Sequence, residues 1–374
     1  HSDITTVALA TITVADPADG ATLRFLPKAT DEVARANYHT DSIWDLGDPS
    51  DSFRHFDNEL FSAGSQRLIE LREQIIASIT ASEPDGTAAR QTLGQAIHSL
   101  QDFYAHSNWV EMIAHGSRPD GIDTRLGRQV IPDTGVGVVV CGADTGVLEG
   151  AGLTTLTSGY YVGLCGDSPS PLGKCRHGQD LCPGSNHPGI NKDSASRAGH
   201  GKARALATAA TIDFVSQVIL DDPRVRDNSR AIHALLGIRR ALAMVIDDTG
   251  SMGTDIGGIK TQVALMVNDL VTRDQEPEEY VLVRFGDPDV GPPVKTKDSA
   301  TFLAAVNALS ADGGGDCPEK SQTALLQAID ACPENSTVFL FTDASAKDAS
   351  LAGGVRAAAT RKNIRIDCLL TGSC

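Results

Sequence analysis

QAIHSLQDFYAHSNWVE, residues Gln95 to Glu111, is the stretch whose reading decides the first two-thirds of the chain. It falls in a predicted helix opening near Gly86-Thr87, with Thr87 as the expected N-cap. Leu93, Ala96, Ile97, Leu100, Phe103 and Tyr104 recur at helical spacing and define one apolar face. His98, Asp102 and His106 follow at i, i+4 and i+8. At about 100° per residue they fall within an arc of roughly 80°, on the side away from the apolar face. Two imidazoles and a carboxylate one turn apart are what a helix offers a transition metal such as zinc. Taken alone, His-x-x-x-Asp is as often a solvated polar face. The neighbouring Phe103, Tyr104 and Trp109 tell against a plain wet surface.

The chain has 374 residues, enough for two or three domains, with 41% hydrophobic and 21% charged residues. A net charge of −16 disfavours specific or non-specific nucleic-acid binding through phosphate neutralisation and suits divalent cations. No apolar run reads as a membrane span. The chain opens at His1, for which removal of a targeting segment is the expectation. Eight cysteines divide between Cys141, Cys165, Cys175 and Cys182, and Cys317, Cys332, Cys368 and Cys374. None forms Cys-x-x-Cys, so disulfides and a secreted, extracellular protein are expected.

Three regions follow from the pattern. Residues 1–225 read as a mainly α-helical domain, with helices expected at Thr30–Ala36, Asn58–Ser82, Gly86 onward and Ser196–Leu220. Within it, about 116–195 is a Gly-, Pro- and Cys-rich insertion too poor in apolar residues to order without disulfides. Residues 226–239 read as a linker. From residue 240 to 374, short apolar runs alternate with helices, which implies an α/β domain with a doubly wound parallel sheet and Val294 on an antiparallel edge. Nine of the ten histidines lie at or before residue 200, so any imidazole chemistry belongs to the first domain. Among them His39, His115, His187 and His233 are expected at the surface or as caps, and His177 as part of the loop structure.

Asp247-Asp248-Thr249-Gly250-Ser251 directly follows the first strand of the second domain. A carboxylate and two hydroxyls at i, i+2 and i+4 of a turn can face one hard cation. Asp316 follows three glycines, and Asp343 ends the strand VFLF-Thr342. Ligands of such sheets bind at the carboxyl ends of strands. Residues 240–374, with DDTGS, DGGGDCPE, FTDASAKD and a closing LLTG-x-C, resemble the von Willebrand factor type A domain, in its hemicentin-type variant. The resemblance implies a magnesium-binding adhesion site built from Asp247, Thr249, Ser251, Asp316 and Asp343. It implies an extracellular protein partner that completes the cation with an acidic side chain. Asp316 stands where most such domains have threonine. Pairing of Cys317 with Cys374 and of Cys332 with Cys368 is implied on the same basis.

HSDIT at the start, RHFDNELF at 54–61, HSLQDFYAHSNWVE and INKDS at 190–194 resemble the Het-C-like group, related to zinc-dependent phospholipases C and zinc nucleases. Carried over, zinc would be held by His1, Asp41, His55, His98 and Asp102, with Asp45 a rival of Asp41. A further zinc would fall to His106 and His200, although Arg204 occupies the place of that element's acidic residue, leaving Asp193 or His177 to complete it. Asp102 and Asp41 are the carboxylates assigned to catalysis, Asp102 as the bridge. A zinc pair lowers the pKa of a shared water so that it can attack phosphorus in line. The leading expectation is a secreted zinc-dependent hydrolase of phospholipids or other phosphodiesters, coupled to an adhesion domain. The alternative is a non-enzymatic adhesion or matrix-binding protein with a structural metal, and a nuclease ranks third.

Overall fold

The computed structural model describes the chain except residues 18–19, 42–51, 83, 143–147, 162–169, 179–187, 239, 273–275, 316, 334–335 and 373–374. It divides into two compact units, His1–Gly237 and Ile238–Cys374.

In the first unit a helix absent from the sequence reading, α1 (Ser2–Thr11), precedes a short hairpin of β1 (Val14–Ala15) and β2 (Thr22–Leu23). Then come α2 (Pro27–His39), α3 (Phe61–Thr80), α4 (Gly86–His106) and α5 (Trp109–His115). After the long insertion, α6 (His200–Asp213) runs on as π-helical turns over Phe214–Leu220, and α7 (Ser229–Leu236) closes the unit. Pro27 opens α2 at a position where its missing N–H costs nothing. Asp85, rather than Thr87, caps α4 by accepting from the amide of Ala88.

Helix α4 lies at the centre, in contact with α2, α3, α6 and α7. Every residue from Ala96 to His106 is buried. The expected apolar face is therefore present, but the opposite face is not solvated: His98, Asp102 and His106 point into the unit. Gly94 permits this on the α2 side, because a Cβ there would lie 2.7 Å from the Val33 carbonyl oxygen and 2.5 Å from the Ala36 Cβ. Among described residues the helix His200–Leu220 is long and apolar enough to cross a membrane by length and composition, with 56% of its apolar window buried in the unit.

The insertion carries little regular structure among its described residues. A disulfide joins Cys141 to Cys175 across a separation of 34 residues, beside a small cluster of Val140 and Ile190. Closing a loop of that length stabilises by about 3–4 kcal/mol in the chain-entropy account.

The second unit holds β3 (Ala241–Asp247), β4 (Glu279–Phe285), β5 (Val294–Thr296), β6 (Thr337–Thr342) and β7 (Arg365–Leu370) in the order β5-β4-β3-β6-β7. All pairs are parallel except β4 with β5, where Val294 pairs with Leu282 as the sequence predicts. Helices α8 (Ile256–Thr272) and α9 (Ser299–Asn307) cover one face. Helices α10 (Ser321–Ala331) and α11 (Ala352–Arg361) cover the other. The central β3 is buried along its whole length, as its uninterrupted apolar run requires. Cys332 and Cys368 are both free thiols, which corrects the pairing implied for them. Cys317 is disulfide-bonded, and Cys374 lies outside the described residues.

Candidate metal centres

Asp102 is the meeting point of the first unit. Its Oδ2 lies 2.7 Å from His55 Nδ1 and 3.0 Å from His98 Nε2, and its Oδ1 lies 3.1 Å from His1 Nε2. Asp41 Oδ1 approaches the same group, 3.2 Å from His98 Nε2 and 3.8 Å from His55 Nδ1. Asp45 lies outside the described residues. Four atoms around one zinc at about 2.05 Å would be roughly 3.3 Å apart in a tetrahedron. The measured separations, 2.7 to 3.8 Å, bracket that value. The donor set therefore fits a zinc-class cation.

The imidazole rings are aimed by hydrogen bonds behind them. His98 Nδ1 donates to Asn37 Oδ1 at 3.1 Å, which turns Nε2 toward Asp102. His1 Nδ1 lies 2.9 Å from Gln101 Oε1 and is aimed in the same way. Asn37 is itself held by Thr5 and Gln101. These second partners stand on α1, α2 and α4, so helix packing sets the ring angles. Burial opposes charge on Asp102, yet the surrounding His98, His1 and His106 hold its carboxyl well below the usual range. Burial likewise opposes protonation of His98, but Asp102 and Asp41 outweigh it and raise its pKa to about 10. A cluster so charged without metal is one that a cation can replace protons in.

His106, the third polar residue of the helix, belongs to a different group. It lies with Asp57 and His177, all three buried and with ligand atoms within 4.8 Å of one another. Asp193 adds a carboxylate 3.1 Å from His106 Nε2. His200 joins no such cluster among the described residues; its Nδ1 donates to the Lys192 carbonyl at 2.6 Å. His177 is thus placed against His106 rather than serving only its loop, and burial lowers its pKa. His233 is buried on Asp16 at 2.9 Å, not at the surface.

Asp57 was not identified from the sequence. It sits in a turn where Phe56, Asn58 and Glu59 all have φ of 58°, a conformation costing about 1–3 kcal/mol for each such residue. The insertion over-determines that turn. Asn58 N donates to the Gly159 carbonyl at 2.9 Å, Glu59 N donates to Ser158 Oγ at 2.8 Å, and Lys174 pairs with Glu59 at 2.6 Å.

A cleft of about 240 Å³ leads to the first cluster, lined by His1, Asp193, His200 and Arg204 with Ala203 and Ala207. Arg204 therefore reaches the cleft at the point where the resemblance called for an acid.

In the second unit Asp247 and Thr342 end adjacent parallel strands, which brings their loops together. Asp247 is fully buried; its Oδ1 accepts from the amide and hydroxyl of Thr249 at 3.1 and 2.7 Å, and its Oδ2 from Thr342 Oγ1 at 2.6 Å. Thr249 Oγ1 lies 3.1 Å from Ser251 Oγ, which lies 3.1 Å from Asp343 Oδ1. Gly314, at φ +81°, passes so close to Thr249 that a Cβ would stand 3.0 Å from it. Asp316 lies outside the described residues. The four described oxygen donors form a hard, oxygen-only set suited to magnesium.

Residues 4–223 match the family described as VWA7 N-terminal domain, and residues 241–374 the von Willebrand factor A domain. The chain is 38% identical over 369 residues to von Willebrand factor A domain-containing protein 7 of Homo sapiens, covering 94% of this chain and 39% of that protein. It is 34% identical over 134 residues to Hemicentin-2 of Mus musculus, covering 36% of this chain and 3% of that protein. The solved SpRpn10 VWA domain aligns with a TM-score of 0.30 at 18% identity, over 36% of this chain and 77% of that one. The chain spans about two-fifths of the length of the domain-containing protein 7 relatives it matches.

Proposed function

The chain belongs to the VWA7 N-terminal domain family and carries a von Willebrand factor A domain over residues 241–374, and on that footing we propose that it couples zinc-dependent phosphoester hydrolysis to cation-dependent adhesion. The observation that carries the first half is the convergence of His1, His55 and His98 on the carboxylate of Asp102. His1, His55, His98 and Asp102 would hold zinc there, which would supply a water of lowered pKa and positive charge for the oxygens of a phosphate.

The chain's own residues would do the rest. Asp102, with one oxygen toward His55 and His98 and the other toward His1, would help hold the metal from both of its oxygens. Asp41 is the more exposed carboxylate of the group and would complete it on the solvent side. Asn37 and Gln101 hold the imidazoles in one tautomer. Substrate would enter by the cleft at His1, where Arg204 offers a guanidinium to phosphate. Phospholipid head groups or another phosphodiester are the proposed substrates.

The second half rests on Asp247, Thr249, Ser251 and Asp343, with Asp316, around magnesium. An acidic side chain of an extracellular protein would complete the cation. The disulfide Cys141–Cys175 supports an oxidising, extracellular setting. A non-enzymatic adhesion or matrix protein with structural zinc is the second reading; the full burial of His98 and Asp102, which restricts access to the cleft at His1, favours it.

The deciding assay loads the protein with zinc and follows hydrolysis of bis(p-nitrophenyl) phosphate and of phosphatidylcholine vesicles. Turnover that falls by about 100-fold or more in Asp102→Asn supports hydrolysis. Zinc binding without turnover on either substrate leaves the structural reading standing.

A further inference from the structure

Asp57 Oδ1 and His177 Nε2 are buried polar atoms with no hydrogen-bond partner among the described residues, and they lie 3.7 Å apart. Buried polar atoms left unmatched are costly, and each calls for an explanation. His106 stands beside both, its Nδ1 3.3 Å from Asp57 Oδ1 and its ring centroid 4.4 Å from that of His177. We propose that Asp57, His106 and His177 form a second transition-metal centre of the zinc class, built from residues separate from the His55–His98–Asp102 group, with Asp193 lying between it and His1 and Asp102.

The ring chemistry agrees with ligation. His177 Nδ1 donates to the Gly178 carbonyl at 2.8 Å, which leaves Nε2 as a lone pair aimed into the cluster. His106 Nδ1 lies 3.1 Å from the His55 carbonyl oxygen, and its Nε2 lies 3.1 and 3.2 Å from the two oxygens of Asp193. Two imidazoles with carboxylates select zinc or its neighbours over magnesium and calcium, which take oxygen donors. Asp193, 43% exposed, stands on the solvent side, while the other three are enclosed.

The backbone supports the assignment independently. Asp57 is presented by three left-handed residues, Phe56, Asn58 and Glu59, held by the segment that also carries His177. His177 N donates to the Tyr160 carbonyl, and Asn58 N to that of Gly159, so the turn and the histidine are fixed to one strip of chain. The second centre does not depend on hydrolysis at the first.

The test is a zinc-edge anomalous difference map from crystals of the unsubstituted, zinc-loaded protein, grown in excess magnesium to occupy the oxygen-only site. The expected result is a peak between Asp57 and His177. Zinc analysis should then show one equivalent lost in each of Asp57→Asn and His177→Gln, while His98→Gln keeps the Asp57 peak. A map with zinc only beside Asp102, or with a water between Asp57 and His177, overturns the proposal even if the variants fail to fold. Folded variants that retain every equivalent overturn it as well. A peak at Asp57 with none at Asp102 supports this centre and removes the hydrolase reading.

Discussion

His55 Nδ1 and His98 Nε2 face each other at 3.3 Å, from positions 43 residues apart in the chain. Two imidazole lone pairs cannot share that space without a proton or a cation between them. Asp102 and Asp41 supply the negative charge that draws either one in. The helical unit is organised around this juxtaposition.

The orienting hydrogen bond behind His98 should matter almost as much as the ligand. Asn37→Ala removes the acceptor for His98 Nδ1 and is expected to weaken zinc affinity by about 10- to 100-fold. Competition against a chromophoric chelator measures this, and an unchanged affinity would show that the Asn37 bond does not tune the site.

In the metal-free protein, His98 should make stability fall as pH rises. Burial lowers its pKa, but Asp102 and Asp41 raise it further, to about 10, above its unfolded value near 6.5. The contribution is present in full below about pH 6.5 and is lost as pH climbs through about 10. Zinc competes with that proton, so binding at pH 7 should release it and tighten with pH. Calorimetry in buffers of different ionisation enthalpy reads the release; no proton release, with a His98→Gln protein melting in parallel with the unsubstituted chain, would contradict the assignment.

The free thiols should differ in reactivity. Cys332 is buried, and desolvation pushes its pKa up to about 12, whereas Cys368 is exposed. Alkylation of the native protein followed by peptide mass mapping should label Cys368 and spare Cys332 until denaturation. Recovery of a Cys332–Cys368 disulfide peptide would refute the free state.

Loss of one hydroxyl should disable the cation site of the second unit without unfolding it. Thr249→Ala removes a donor at the site and an Asp247 partner, so magnesium-dependent thermal stabilisation should shrink or vanish. The metal-free melting temperature should drop by only a few degrees, as loss of a buried hydrogen bond costs about 1–3 kcal/mol. Full retention of the magnesium effect would exclude Thr249 as a ligand.

What the sequence conveyed and what it did not divide along physical lines. His98 and Asp102 were legible because helical period places i and i+4 together whatever the surroundings. The alternation of β3, β4 and β6 with helices was legible for the same local reason. Phe103, Tyr104 and Trp109 told against a wet polar side of α4, but its full burial was not legible, because it depends on Gly94 admitting α2 and on α6 closing the other side. Asp57 was missed because its direction is set by left-handed backbone at non-glycine residues, which sequence preferences argue against. Its adjacency to His55 in RHFDNELF was the available signal. His177 stood between loop structure and a place beside His106, because a disulfide-stapled insertion, not a periodic element, carries it there.

The most direct measurement is zinc-dependent hydrolysis of bis(p-nitrophenyl) phosphate by the unsubstituted protein beside Asp102→Asn, with bound zinc counted in both. The account predicts turnover that requires zinc, lost together with first-centre metal in the variant. Turnover that survives in Asp102→Asn at full rate, or a zinc-free protein that crystallises with the His55–His98–Asp102 group unchanged after zinc soaking, would contradict it.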